Sequence, residues 1–152
     1  MPTYLFTQED LEGRLSVEKV RQIYDDNNDG DADTNPIERL RLDASSKVVT
    51  KLLPSYPNAM SWTPTTAPNE AKRIALDYAE YYAAQRHPEY VRRANLEGFL
   101  KEINSDIADL RAANSRVDST TELPRNSGGF STTNESTITG TRYDGTGGMG
   151  DF

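Results

Sequence analysis

Apolar side chains recur at three- and four-residue intervals through most of the first 113 positions, the period of helices that bury one face. Thr7-Gln8-Glu9-Asp10 reads as an N-cap followed by acidic residues that complement the free N–H groups of a first turn, and Leu11 and Leu15 then share a face. Gly13 weakens this short helix. Ser16 offers a fresh cap for a second one, in which Val17, Val20, Ile23 and Tyr24 keep helical spacing. Further on, Asn35-Pro36-Ile37-Glu38 places a capping Asn before Pro at the first helical position, with Glu three residues after the cap. The pattern predicts a helix to about Leu53, with Ile37, Leu40, Ala44, Val48 and Leu52 in one stripe, widened by Leu42, Val49 and Leu53. Pro54 ends it.

Residues 54–68 hold four prolines and the only tryptophan, so no continuous helix fits there. Two readings of Trp62 stand: it pins the loop onto the core, or it is exposed as an anchor for a partner. From Asn69 to Arg86 the helical pattern is strongest. Ala71, Ala75, Ala79 and Ala83 form a smooth ridge that lets another helix approach closely, beside Ile74, Tyr78, Tyr81 and Tyr82. With Tyr90, these tyrosines leave two readings: some sit at the edge of the core or in a subunit contact, because each buried hydroxyl needs a partner, or all serve core packing alone. His87-Pro88 breaks the helix. Pro88 is expected to open the next one, running to about Ala113 with Leu96, Phe99, Leu100, Ile103, Ile107 and Leu110 on its apolar face. Glu89 with Arg93 and Glu97 with Lys101 are the i,i+4 pairs expected on its other side.

Beyond residue 113 the pattern stops. Residues 114–152 are mostly Ser, Thr, Gly and Asn with single apolar side chains at Leu123, Phe130, Ile138, Tyr143, Met149 and Phe152. So little apolar surface does not offset the entropy of ordering the segment, which is expected to be an extended tail ordered only on a partner, with those six side chains as its contacts. The expected fold is all-α: a small bundle of four to five helices in residues 1–113, carrying an acidic loop at 25–36 and a Pro-rich loop at 54–68, followed by the long tail.

Composition narrows what such a bundle does. The chain has 152 residues, no cysteine and a formal charge of −7. Disulfides, zinc knuckles and thiol nucleophiles are therefore out of reach, and a grip on nucleic-acid backbone, which needs clustered Lys and Arg, is not expected. The opening residues lack the basic and apolar regions of a signal peptide, and no apolar run approaches the roughly 18 residues needed to span a bilayer. The expectation is a soluble protein made in a cytoplasm.

The densest chemistry lies in the acidic loop, which has five carboxylates in nine residues. Counted from Asp25 as position 1 of a calcium loop, Asn27 falls at 3, Asp29 at 5, Gly30 at 6, Asp31 at 7 and Asp33 at 9. Position 12, where a bidentate Glu belongs, is Pro36. Asp25, Asn27, Asp29, Asp31 and Asp33 are thus a half-matched cation site, for Ca2+ if for any ion. The other reading is a solvated acidic turn, whose crowded like charges a cation or a basic patch on a partner subunit would relieve. The single His87 sits at a helix end. With no phosphate loop, nucleophile elbow or paired-His motif, no enzyme is expected.

Tyr4, Thr7, Asp10-Leu11 and Arg14, then a helix ending in Asp25-Asp26 with an Asn/Asp/Gly-rich turn, then a helix with Asp43-Ala44-Ser45, together resemble the tailed-phage head-completion proteins of the Mu type, within the head-to-tail adaptor families. The resemblance covers roughly residues 3–53. It implies a virion protein, assembled in the bacterial host cytoplasm, that forms a homo-oligomeric ring, expected to be a dodecamer, under the portal protein. Such a ring bridges the portal to the tail or the next neck protein and lines a channel that DNA traverses without being specifically bound. In these families a C-terminal extension docks onto the portal, a role the tail here would fit. The competing readings are a small calcium-responsive binding module and another phage structural protein, such as a tail-completion or scaffolding-associated component.

Overall fold

Thr7 opens the first helix with reciprocal bonds: its hydroxyl accepts the Asp10 N–H at 3.1 Å, and the Asp10 carboxylate accepts the Thr7 N–H at 2.8 Å. This capping box starts α1 (Gln8–Leu15), and the bond from the Thr7 backbone is the main reason the Asp10 carboxyl is held below its ordinary range. Ser16 closes α1 and caps α2 (Val17–Tyr24) at φ 87°, a backbone conformation rare for a residue with a Cβ. A single residue thus makes the corner. In this computed structural model the backbone is described for residues 2–127 and the side chains for residues 2–115. The remaining elements are α3 (Thr34–Leu52), a 3₁₀ turn at Ala59–Ser61, α4 (Asn69–Arg86) and α5 (Leu96–Ser127), so the described residues are all helix, turn and loop, without a strand.

α4 is the central element, packing against both α3 and α1. Its ridge of Ala71, Ala75, Ala79 and Ala83 is fully buried, and Ile74 fills the space beside it. α3 contributes Ile37, Leu40, Ala44, Val48, Val49 and Leu52 from the expected stripe. α5 adds Phe99, Ile103 and Ile107. The Asn104 side-chain oxygen accepts from Lys51 at 3.0 Å and from the Tyr78 hydroxyl at 3.2 Å, tying α5 to α3 and α4. That bond also explains how Tyr78 can be buried: its hydroxyl has a partner. Tyr81, Tyr82 and Tyr90 stay half-buried at the core's edge.

One ionic network among these helices centres on a buried carboxylate. Asp77, 5% exposed, pairs with Arg14 of α1 and, at 3.1 Å, with Arg73 one turn back on α4, which also reaches Asp106 of α5. Burial pushes the Asp77 carboxyl above its ordinary range, and the two guanidinium groups pull it partly back.

The N-terminal segment is a strap that periodicity had not revealed. Leu5 and Phe6 are fully buried. The Leu5 N–H donates to the buried Ser45 hydroxyl at 2.9 Å, Arg41 donates to the Phe6 carbonyl at 3.0 Å while lying over the Tyr4 ring, and the Thr3 hydroxyl donates to the Met60 carbonyl at 2.9 Å.

Four expectations are corrected. α3 begins at Thr34 with Asp33 as its cap residue, not at Pro36 behind Asn35, and Asp33 makes no capping bond because its carboxylate turns back into the acidic loop. Pro36 then falls inside the first turn, where its missing N–H costs nothing. Pro88 does not open a helix: residues 88–95 are turn and coil, and α5 starts behind Asn95, whose side chain accepts the Gly98 N–H at 2.8 Å. Arg93 accordingly pairs with Glu80, and Glu89 with the His87 ring at 2.9 Å, in place of the Glu89–Arg93 helix pair. Trp62 is 6% exposed and packs on the Tyr56 ring at 5.5 Å, so it pins the Pro-rich loop rather than offering an anchor to a partner. Finally, α5 runs on to Ser127, past the end expected near Ala113.

The chain divides into two units, Met1–Ala112 and Ala113–Phe152. Of the expected tail contacts, Leu123 lies in the helical stretch with its side chain outside the described set, and Phe130, Ile138, Tyr143, Met149 and Phe152 lie outside the described residues altogether. Among the described residues no helix is long and apolar enough to cross a membrane.

Candidate functional site: the acidic loop and the groove beside it

The acidic loop is closed at its base by the Asp33 N–H donating to the Tyr24 carbonyl at 2.8 Å. Its side chains then turn inward onto its own backbone. The two Asp25 oxygens accept the N–H groups of Asp29 at 3.0 Å and Gly30 at 2.9 Å. Asn27 also accepts from Asp29, and Asp29 from Asp31. Asp33 accepts from the Asp26 N–H at 2.7 Å, the Asn27 N–H at 3.2 Å and the Asn27 side-chain amide at 2.9 Å. The half-matched calcium residues are thus brought into one loop, and Asp25, Asn27, Asp29 and Asp33 accept from its backbone donors while Asp31 contributes its N–H. Among the described residues no three His, Asp or Glu side chains are grouped so as to hold a metal ion. Asp26 instead meets Arg86 of α4, which also donates to the Ile23 carbonyl at 3.2 Å and lies over the Tyr24 ring. Burial pushes the Tyr24 hydroxyl up to about 12, with Arg86 opposing it.

Two left-handed residues make the loop's tip, Asn28 at φ 61° and Gly30 at φ 95°. A Cβ added at Gly30 would meet open space, so any cost of Gly30→Ala comes from the backbone conformation alone. That variant is expected to lose about 1 kcal/mol in urea unfolding with an unchanged m-value. Unaltered stability would mean that the loop relaxes freely into another turn.

Beside the loop, α3 and the C-terminal half of α4 leave an open groove of about 980 Å³. Pro36, Leu40, Tyr24 and Tyr82 give it an apolar floor. Along its α3 wall stand Arg39, Asp43, Lys47 and Lys51, one turn apart. Arg39 and Lys47 are exposed and make no ion pair among the described residues, and Lys51 donates to the neutral Asn104. Burial and the nearby Asp43 raise the Tyr82 hydroxyl above its ordinary range. This basic row was missed in the sequence, although its i,i+4 spacing on the polar face of α3 was there to be read.

The site therefore combines an acidic loop and an apolar-floored groove with basic side chains on its α3 wall, on one helical unit. No protein-family model, no curated protein and no solved structure matches the chain.

Proposed function

We propose that the protein is a structural virion component of a tailed phage: a ring-forming head-to-tail adaptor that joins the portal to the tail or neck and surrounds the DNA path. The supporting observation is the resemblance over residues 3–53, together with the positions its residues occupy. Tyr4 lies under Arg41 in the strap, Thr7 and Asp10 form the capping box, Arg14 meets Asp77, and Ser45 receives the strap's Leu5. Ala44 is fully buried beside it. The residues of the resemblance thus serve one packed unit, whose charged loop is left at the surface. The net charge of −7 suits a channel wall past which DNA slides without sticking. The segment beyond the helical unit, with its Phe130, Ile138, Tyr143, Met149 and Phe152, is assigned to docking on the portal in an extended form.

The test is negative-stain microscopy of the full chain mixed with its portal, read alongside limited proteolysis. The expected result is a ring stacked on the portal, with cleavage between residues 128 and 152 suppressed only in the mixture. A chain that stays monomeric beside the portal, or a cleavage pattern that the portal leaves unchanged, would overturn the proposal.

A further inference from the structure

α3 presents opposite charge at its two ends along one face. Its 19 residues span about 28 Å at the α-helical rise. The N-terminal end carries the acidic loop, where Arg86 answers Asp26 but, among the described residues, Asp31 forms no ion pair and Asp25, Asp29 and Asp33 accept from neutral N–H groups. The C-terminal half of the groove wall carries Lys47 and Lys51, neither of which forms an ion pair among the described residues, although Asp43 stands one turn before Lys47 on the same wall. Like charges left unanswered at each end raise the energy of the isolated copy, modestly in water and more as surfaces close. Within one copy the intervening helix keeps the two ends apart. A second copy can answer both.

We infer that the acidic loop of one copy docks on the Lys47–Lys51 end of the α3 groove of a second copy. This contact rests on the ring reading above and supplies the subunit interface that reading lacks. The loop is shaped for the task, because the N–H groups of Asp26, Asn27, Asp29, Gly30 and Asp31 are already satisfied internally and docking need not reorganise them. Loop against lysine end is a contact between two different patches, so each copy keeps one free loop and one free groove end, and repetition with a closing rotation gives a ring. Charge supplies register and encounter rate, while Leu40 and Tyr82 of the groove floor supply apolar area.

The experiment uses two charge-reversed forms of the full chain, Lys47→Glu with Lys51→Glu, and Asp29→Lys with Asp31→Lys. All four positions are exposed, so helicity by circular dichroism is expected to match the parent. In sedimentation velocity at low salt the parent associates, and raising sodium chloride weakens association as the charges are screened. Each reversed form alone associates at least about tenfold more weakly, a loss of about 1.4 kcal/mol. Mixing the two restores association, because the reversed loop of one now meets the reversed groove of the other. As the chain has no cysteine, a second measurement mixes an Asp31→Cys chain with a Lys47→Cys chain and looks for a disulfide between copies. Reversed forms that associate like the parent, or a mixture that stays apart, overturn the inference while leaving the ring reading to the portal experiment. A parent that is monomeric at every concentration and forms no disulfide overturns it too. Restored association that stops at two copies supports the loop–lysine contact and counts against the ring.

Discussion

Replacing Arg14 by methionine is expected to cost about 3 kcal/mol at pH 7 and to lower the thermal midpoint by about 10 °C. Methionine keeps the side chain's length and apolar stem, so the loss isolates the charge. Asp77 would be left nearly buried with only Arg73, itself half-exposed, and a carboxylate taken out of water without its closest cation is what makes broken buried pairs expensive. The low end of the usual range applies because Arg73 remains. The pH dependence has a definite sign. Burial already holds the folded Asp77 pKa above its unfolded value, so its ionisation opposes folding, and protonation, as pH falls through the carboxylate range, removes that opposition. Without Arg14 the folded pKa rises further. The deficit relative to the parent should therefore be largest near neutrality and shrink on acidification toward pH 4. Chemical denaturation at several pH values measures it, and a deficit that does not vary with pH would place the cost in packing rather than charge.

Phe6→Ala carries the other large effect. Truncating a fully buried phenylalanine removes its transfer free energy and leaves a cavity, for a cost of about 4 kcal/mol. Because Phe6 sits in a terminal strap, the loss is capped by the energy with which that strap docks. The expected signature is therefore double: a lowered midpoint, and fast hydrogen exchange at the Leu5 N–H once its bond to Ser45 opens. Slow exchange with little loss of stability would show that the strap is held by its polar bonds alone.

The helical segments were legible where a single face meets the core. α4 has the expected bounds, and the apolar stripe predicted for α3 is buried, with Ser45 added to it and Leu42 left partly exposed. What escaped depends on partners distant in sequence. Leu5 and Phe6 form no periodic pattern, and their burial is decided by Ser45 and Arg41 some forty residues on. Asp33 could have capped α3, as the rule for Asp predicts, yet three loop donors outcompete the helix for its carboxylate. The proline at 88 satisfied a local rule for starting a helix. Arg93, held by Glu80 and lying over Phe99, instead fixes the coil before α5. The candidate site divides in the same way: the acidic loop stood out in the sequence, whereas the groove required knowing that α3 and α4 lie side by side.

The strap also sets an order for synthesis. Leu5 and Phe6 leave the ribosome before their cover, which arrives with Arg41 and Ser45, and Arg14 waits for Asp77. Until α4 has emerged, the nascent chain carries uncovered apolar residues at the strap, the condition under which chains are captured by chaperones or by each other. The cover is completed later still, when α5 adds Phe99, Ile103 and Ile107 to the core, so exposure of apolar surface lasts well beyond the synthesis of α3.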